Sequence, residues 1–276
     1  MTINDAQLMT IFIAPAIGFS EQGRRANNED YVLPPPGRAE SADRLFVVCD
    51  GVGGAQKGEL ASFLAAEAIN RYFQQHPSEA VDAPFIRAAL KATEGAFDEA
   101  IARQPDEHLR GMSTTLTLLS LHSRGITIAH VGDSRVYHIR NGQVLHQTED
   151  HSFVNELVRS GQIRPDEAAR HPRRNIITRA VQGSFSPTSA TIYTSPDVLP
   201  GDYFLLCTDG VLETFDTPAL LDWLLLATSD ADKVAELLAR CADTSRDNFS
   251  GYLVRVTDVS ATDSPDPKRQ HHTDEF

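Results

Sequence analysis

The sequence predicts an α+β fold: two antiparallel β-sheets packed face to face as a β-sandwich, flanked by α-helices. Three observations carry that expectation. Apolar runs of strand length dominate the chain and crowd together in its middle. Asn141-Gly142, between two of them, is a two-residue hairpin signal, so this part of the sheet is antiparallel. Helical periodicity appears in three stretches only, two before the central strands and one before the last strand. A parallel α/β sheet would instead alternate strand and helix throughout.

Taken in order, the strand candidates are Arg44–Cys49, Thr114–Leu121, Ile126–Val131, Arg135–Arg140, Gln143–Gln147, Thr188–Thr194, Asp202–Cys207 and Gly251–Val256. The first helix is expected over Glu59–Gln74, with Leu60, Phe63, Leu64, Ala68 and Tyr72 near one face. The second is Pro84–Arg103, where Ile86, Ala89, Leu90, Phe97 and Ile101 share a face interrupted by Thr93. The third is Asp232–Cys241, with Val234, Leu237, Leu238 and Cys241. No internal repeat is present.

The chain has 276 residues, enough to bury a sizeable core. Its 25 Lys+Arg against 38 Asp+Glu give a formal charge of −13. That excess repels a phosphate backbone and an anionic lipid surface, so neither nucleic acid nor membrane is an expected partner. Acids in excess also collect divalent cations. No apolar run approaches the roughly 20 residues that span a bilayer. The apolar patch near the start carries Asp5 and has no Lys or Arg before Arg24, unlike a secretory signal, so a cytoplasmic protein is expected. Cys49, Cys207 and Cys241 are odd in number and fit no zinc spacing. They read as buried structural thiols. Residues 1–14 read as an N-terminal extension and residues 259–276 as a disordered polar tail, leaving residues 15–258 as one domain.

Two features remain. Between Gly161 and Gly183, Arg164, Arg170, Arg173, Arg174 and Arg179 form a basic segment in an acidic protein. It reads either as a solvated connection with short helices or as a flap beside an anionic substrate. The acids, in turn, gather where strands stop. LFVVCD ends at Asp50-Gly51 and YFLLCTDG at Asp209-Gly210. VGDSR sets Asp133 in a turn, Asp247-Asn248 precedes the last strand, and Glu29-Asp30 precede Tyr31-Val32. Taken singly, each is a turn former. Taken as a set they say more: Asp50 and Asp209 each follow a continuous apolar run, the mark of a strand buried on both faces, and carboxylates at such strand ends converge if those strands are neighbours. Without cations such a group repels itself or takes up protons, and hard Mg²⁺ or Mn²⁺ removes the conflict. Arg25 adds a planar fork suited to phosphate oxygens.

GRRANNED, DGVGGAQKGELAS, STTLT, VGDSR, CTDG and DN, in this order from about Ile17 to about Val256, resemble the PP2C-type (PPM) protein serine/threonine phosphatases of bacteria. DHSFVNELVRSGQIRPDEAARHPRRNIITRAV resembles their flap, which places a flap at about 148–185. The resemblance implies a PP2C-like αββα architecture with a two-metal centre between the sheets. On this sequence Asp50 would bridge both ions, the Gly51 carbonyl would bind one, and Asp209 and Asp247 the other. Glu29 and Asp30 would hold metal-bound waters. Asp133, with Asp209 shared, would serve a third ion. Arg25 would bind the substrate phosphate, so Arg25, Asp50 and Asp209 are the expected catalytic residues.

The implied reaction is in-line attack on phosphorus by a metal-activated water, with no phospho-enzyme. No C-x5-R loop of a cysteine phosphatase is present. Eukaryotic members carry a His where this chain has Val52, and many bacterial members carry one at the place of Ala55. The general acid is therefore open between a metal-bound water and His151. Phosphorylated proteins, a cognate Ser/Thr kinase and a monomeric state are implied, and HPRRNIITRAV looks closest to members tied to type VI secretion. Two rival readings are a non-catalytic pseudophosphatase that binds a partner and another two-metal phosphoester hydrolase.

Overall fold

The computed structural model describes residues 8–52, 57–103, 107–168 and 170–261. The chain opens with four strands, β1 (Met9–Ile13), β2 (Ile17–Glu21), β3 (Asp30–Leu33) and β4 (Leu45–Asp50). Helices α1 (Gly58–Gln75), α2 (Ala83–Arg103) and the single turn α3 (Glu107–Arg110) follow. The central strands are β5 (Leu116–His122), β6 (Gly125–Val131), β7 (Arg135–Arg140) and β8 (Gln143–Gln147). Then come α4 (Phe153–Arg159), α5 (Pro165–Ala168), β9 (Thr191–Ser195) and β10 (Tyr203–Cys207). The chain closes with α6 (Asp209–Leu212), α7 (Thr217–Leu224), α8 (Asp230–Thr244) and β11 (Phe249–Ala261).

Side chains alternate between the two faces of a strand, and here both faces are apolar. In β4, Phe46 and Val48 face one way and Val47 and Cys49 the other. In β10, Phe204 and Leu206 oppose Leu205 and Cys207. One set from each strand meets between the sheets, where Leu119, Val136, Tyr252 and Val254 join it. The other set of the first sheet packs on Ala65, Ile69, Leu90 and Phe97 of α1 and α2. The other set of the second sheet packs on Leu220 and Trp223 of α7 and on Val234 and Leu237 of α8. The result is four layers, αββα, as expected. All three cysteines are buried and free.

One sheet runs β3-β4-β5-β6-β9 and the other β1-β11-β10-β7-β8, every pairing antiparallel. The long β11 pairs with β2 along Phe249–Leu253 and with β1 from Val256 onward. This corrects both domain limits. Residues 9–13, assigned to an extension, are an edge strand, and residues 259–261, assigned to the tail, are the rest of β11 that pairs with them. Neither short segment shows a periodic pattern of its own, because its face is set by its partner. Residues 1–7 and 262–276 lie outside the described residues.

Other departures are local. The strand expected from Thr188 begins at Thr191, because the Thr188 N–H donates to Glu94 Oε1 on α2 at 3.0 Å instead. Helix α7 is eight residues long, too short for its period to show in sequence, and starts at an Asp216 cap that accepts from Ala219 N. β6 and β7 are not one hairpin: Gly132-Asp133-Ser134 carries the chain from one sheet to the other. Among the described residues no helix is long and apolar enough to cross a membrane.

The one tryptophan, Trp223, is 2% exposed and its Nε1–H donates to Lys233 O at 2.6 Å, tying α7 to α8. Its fluorescence should be blue-shifted and shielded from acrylamide, and Trp223→Ala should cost about 3–5 kcal/mol in a urea melt.

Candidate metal centre

β4 ends in Asp50, which lies on the same face as Phe46 and Val48 and so points toward the interior of the sandwich. Asp30 stands directly opposite it across the β3–β4 pairing. From the other sheet, β10 delivers Thr208 and Asp209, and Thr208 Oγ1 donates to Asp30 Oδ2 at 3.0 Å. Asp133 occupies the turn that crosses between the sheets. Asp247 lies just before β11 and accepts from Arg25 Nη2 at 2.6 Å. β4 and β10 are therefore neighbours across the sandwich, not within a sheet, and the acids meet where the two sheets open at one end.

The main chain beneath Asp50 is held from several sides. Its N–H donates to Thr115 Oγ1 at 2.9 Å, and its carbonyl accepts from Thr115 N and Thr114 Oγ1, both at 2.8 Å. Gly51 N donates to Glu29 O at 3.0 Å, which also accepts from Ser62 Oγ of α1 at 2.6 Å. A Cβ on Gly51 would lie 2.3 Å from Gly58 O and 2.7 Å from Glu29 O, so only glycine allows this approach. Asn248 secures the Arg25 loop. Its Oδ1 accepts from Glu29 N at 3.0 Å, and its Nδ2 donates to Gln22 O at 2.7 Å and Asn27 O at 2.9 Å.

These supporting residues, Ser62, Thr114, Thr115, Thr208 and Asn248, were not assigned roles from sequence. STTLT and DN were visible as motifs, but their partners lie tens to hundreds of positions away.

Burial governs the electrostatics. It pushes Asp50 well above the usual carboxylate range, with Asp30, Asp209, Asp133 and Asp247 adding repulsion. Burial, then Asp133 and Asp247, raises Asp209 to about 8. Burial, opposed by hydrogen bonds from Ser250 and Thr208, raises Asp30 to about 7. Burial, then Asp150, raises Asp133 to about 6, and Glu29 is also raised, mainly by burial. An oxygen-only donor set that repels itself fits a hard divalent cation. Among the described residues no three His, Cys, Asp or Glu side chains are grouped tightly enough to hold an ion alone. An ion here would need main-chain oxygen or water as well, which Mg²⁺ commonly takes.

His151 is not placed as an acid. It is 5% exposed, its Nδ1 accepts from Gly132 N at 3.1 Å, and Nε2 meets Thr191 Oγ1 at 2.8 Å. Burial, then His130, Arg179 and Arg159, lowers it to about 3, so it is neutral near pH 7. Val52 N donates to Ser113 O, and Ala55 lies outside the described residues.

The sign of the Asp209 shift makes a stability prediction. Folded Asp209, raised from 3.8 to about 8, holds a proton that the unfolded chain has released. Stability of the metal-free protein therefore falls as pH rises through that window, and below it both states are protonated. In EDTA, Asp209→Asn should raise Tm above wild type at pH 8 by at least about 2 °C, with the gain vanishing near pH 4.

Comparisons with known proteins bear on most of the chain. The protein phosphatase 2C family model matches residues 17–249. Serine/threonine protein phosphatase PstP of Mycobacterium tuberculosis is 35% identical over 237 residues, 85% of this chain and 43% of that protein. The chain thus spans less than half the length of that relative. Protein phosphatase PhpP of Streptococcus pneumoniae is 34% identical over 247 residues, 86% of this chain and 95% of that one. A crystal structure of PstP matches with a TM-score of 0.77 at 30% identity, covering 90% of this chain and 100% of that one. Another, of the PstP catalytic domain with two manganese ions, gives 0.73. PppA, a regulatory component of type VI secretion in Pseudomonas aeruginosa, gives 0.68 at 30% identity over 90% of this chain and 99% of that one. Matched along most of its length by sequence and by fold, the chain belongs to the protein phosphatase 2C family.

Proposed function

We propose that this chain is a metal-dependent protein serine/threonine phosphatase that hydrolyses phosphoserine and phosphothreonine esters without a covalent phospho-enzyme. The observation that carries the reading is the gathering of Asp30, Asp50, Asp133, Asp209 and Asp247 at one end of the sandwich, with Arg25 at its rim. In the residue assignment proposed, Asp50, the Gly51 carbonyl, Asp209 and Asp247 hold two ions. Asp133 with Asp209 serves a third, and Glu29 and Asp30 fix waters. Bound there, Mn²⁺ or Mg²⁺ would supply Lewis acidity and lower the pKa of water for the attack.

The chain's own residues supply the rest. Arg25 is exposed enough to leave Asp247 for a phosphate, and its fork matches two phosphate oxygens. Thr208 keeps Asp30 Oδ2 turned inward, and Thr115 keeps the Asp50 main chain from shifting. Burial pushes the Cys207 thiol up to about 12 and the Cys49 thiol upward as well, so neither is a nucleophilic thiolate.

The substrates proposed are phosphorylated proteins, with a Ser/Thr kinase as the opposing enzyme and a monomer in the cytoplasm as the working form. Likeness to PppA supports a place in the control of type VI secretion, and neighbouring genes for a kinase and secretion components are the check on that. A pseudophosphatase is disfavoured because every expected acid is present.

Adding Mn²⁺ should switch on hydrolysis of p-nitrophenyl phosphate and of a phosphothreonine peptide, and EDTA should abolish both. Hydrolysis of a phosphodiester but not of the peptide would replace this reading with that of another two-metal hydrolase. Arg25→Ala should lower kcat/KM by roughly 10²-fold with Tm unchanged. Asp133→Ala should reduce turnover while the protein still retains two Mn²⁺ per chain by elemental analysis. Equal loss of every ion would contradict that division.

A further inference from the structure

We infer that His151 is a positioning residue that couples the Asp133 turn to the flap. Its main chain and its ring hold the same glycine. His151 N donates to Gly132 O at 2.9 Å, and Gly132 N donates back to His151 Nδ1 at 3.1 Å. The Gly132 N–H makes Nδ1 the acceptor, so the proton of the neutral ring sits on Nε2, which meets Thr191 Oγ1 of β9 at 2.8 Å and lies 3.4 Å from Arg179 Nη1 of the flap arm. The ring plane is fixed by His130 of β6, stacked at 4.4 Å and 8°. Gly132, at φ +101°, hands the chain to Asp133: the ring holds the Val131–Gly132 peptide by its N–H and the His151 main chain holds the Gly132–Asp133 peptide by its carbonyl, so together they set the turn that aims that carboxylate.

The same residue anchors the flap. His151 O accepts from Thr178 N at 2.7 Å, and the next residue, Ser152, bridges Ile177. Beyond Thr178 the returning arm pairs Val181 with Thr114 through two hydrogen bonds of 2.8 and 3.1 Å. Thr114 in turn bridges Gly51. The flap root and the Asp133 turn thus share one residue: its ring and its N–H hold Gly132, its carbonyl holds Thr178, and its Nε2 lies 3.4 Å from Arg179 Nη1.

The inference deepens the phosphatase reading and rests on it only for the activity measurement. Amide hydrogen exchange on the EDTA-treated full chain comes first. His151→Leu should speed exchange of Gly132 by at least about tenfold, the loss expected when one hydrogen bond is removed, and should also speed Thr178, whose own bond to the residue-151 carbonyl the substitution leaves in place, which is the sign of coupling. Amides of β7 should be unmoved. His151→Asn places an oxygen near the Nδ1 position and should restore Gly132 protection. His151→Gln, which reaches only the Nε2 position, should not. In the Mn²⁺ titration of p-nitrophenyl phosphate hydrolysis, Leu and Gln should raise the half-activating concentration at least about fivefold, again for one hydrogen bond, and Asn should leave it near wild type.

Unchanged Gly132 exchange in the Leu variant would overturn the inference. So would equal effects of Leu, Asn and Gln across the whole chain. If Leu fails to fold, the Asn–Gln contrast alone decides. A wild-type protein without phosphatase activity but with the expected Gly132 pattern would sink the phosphatase reading and leave the coupling standing.

Discussion

Mutual repulsion among buried carboxylates is the constraint on which the rest of this structure depends. Asp30, Asp50, Asp133 and Asp209 all have their acidity weakened by burial and then by neighbouring carboxylates, Asp247 among them in every case. Left to relax, such groups would turn out to solvent. They are held in place because each sits on a backbone that the core fixes. Asp50 follows a strand buried on both faces, and Asp209 follows its counterpart in the opposing sheet. The cost of gathering the acids is offset by the apolar layers behind them and by any divalent cation that binds.

The fixing is carried by short polar side chains more than by ion pairs. Thr115 bonds the Asp50 main chain, Thr208 bonds Asp30, Ser62 bonds Glu29 O and Asn248 ties three points of the Arg25 loop. Such groups fit beside carboxylates without adding charge, which leaves the pocket free to respond to cations. The ion pair at its rim, Arg25 with Asp247, is partly exposed, as the proposed exchange for a phosphate requires. A buried pair in that place would hold Arg25 too firmly to be released. Arg135 with Asp150, deeper in the wall, shows the contrast: Asp150 accepts two parallel bonds of 2.6 and 2.8 Å from the Arg135 guanidinium, and the pair belongs to the scaffold behind Asp133.

His151 illustrates how a residue type misleads when its surroundings are unknown. A histidine opening a basic loop is a natural candidate for proton transfer. Inside the fold it is nearly sealed, stacked on His130 and bonded through both ring nitrogens. Burial of an imidazole among cations and other imidazoles favours the neutral form, so its value lies in geometry. Nothing in DHS distinguishes the two outcomes, because the groups that decide them lie on β6, β9 and the flap arm.

By itself the sequence determined the layer architecture, the two long helices α1 and α2, and the positions of the six acids and Arg25. It did so because period-two and helical patterns and Asp-Gly turns are local signals, and because the ordered motifs resemble one family. The tertiary structure alone decided three things. Asp50 and Asp209 meet across two sheets, a relation that no spacing along the chain encodes. Residues 9–13 and 259–261 belong to the domain, because each is a strand only by virtue of the other. The threonines, serine and asparagine beneath the acids take their roles from partners up to 226 positions away, which packing brings within hydrogen-bond reach.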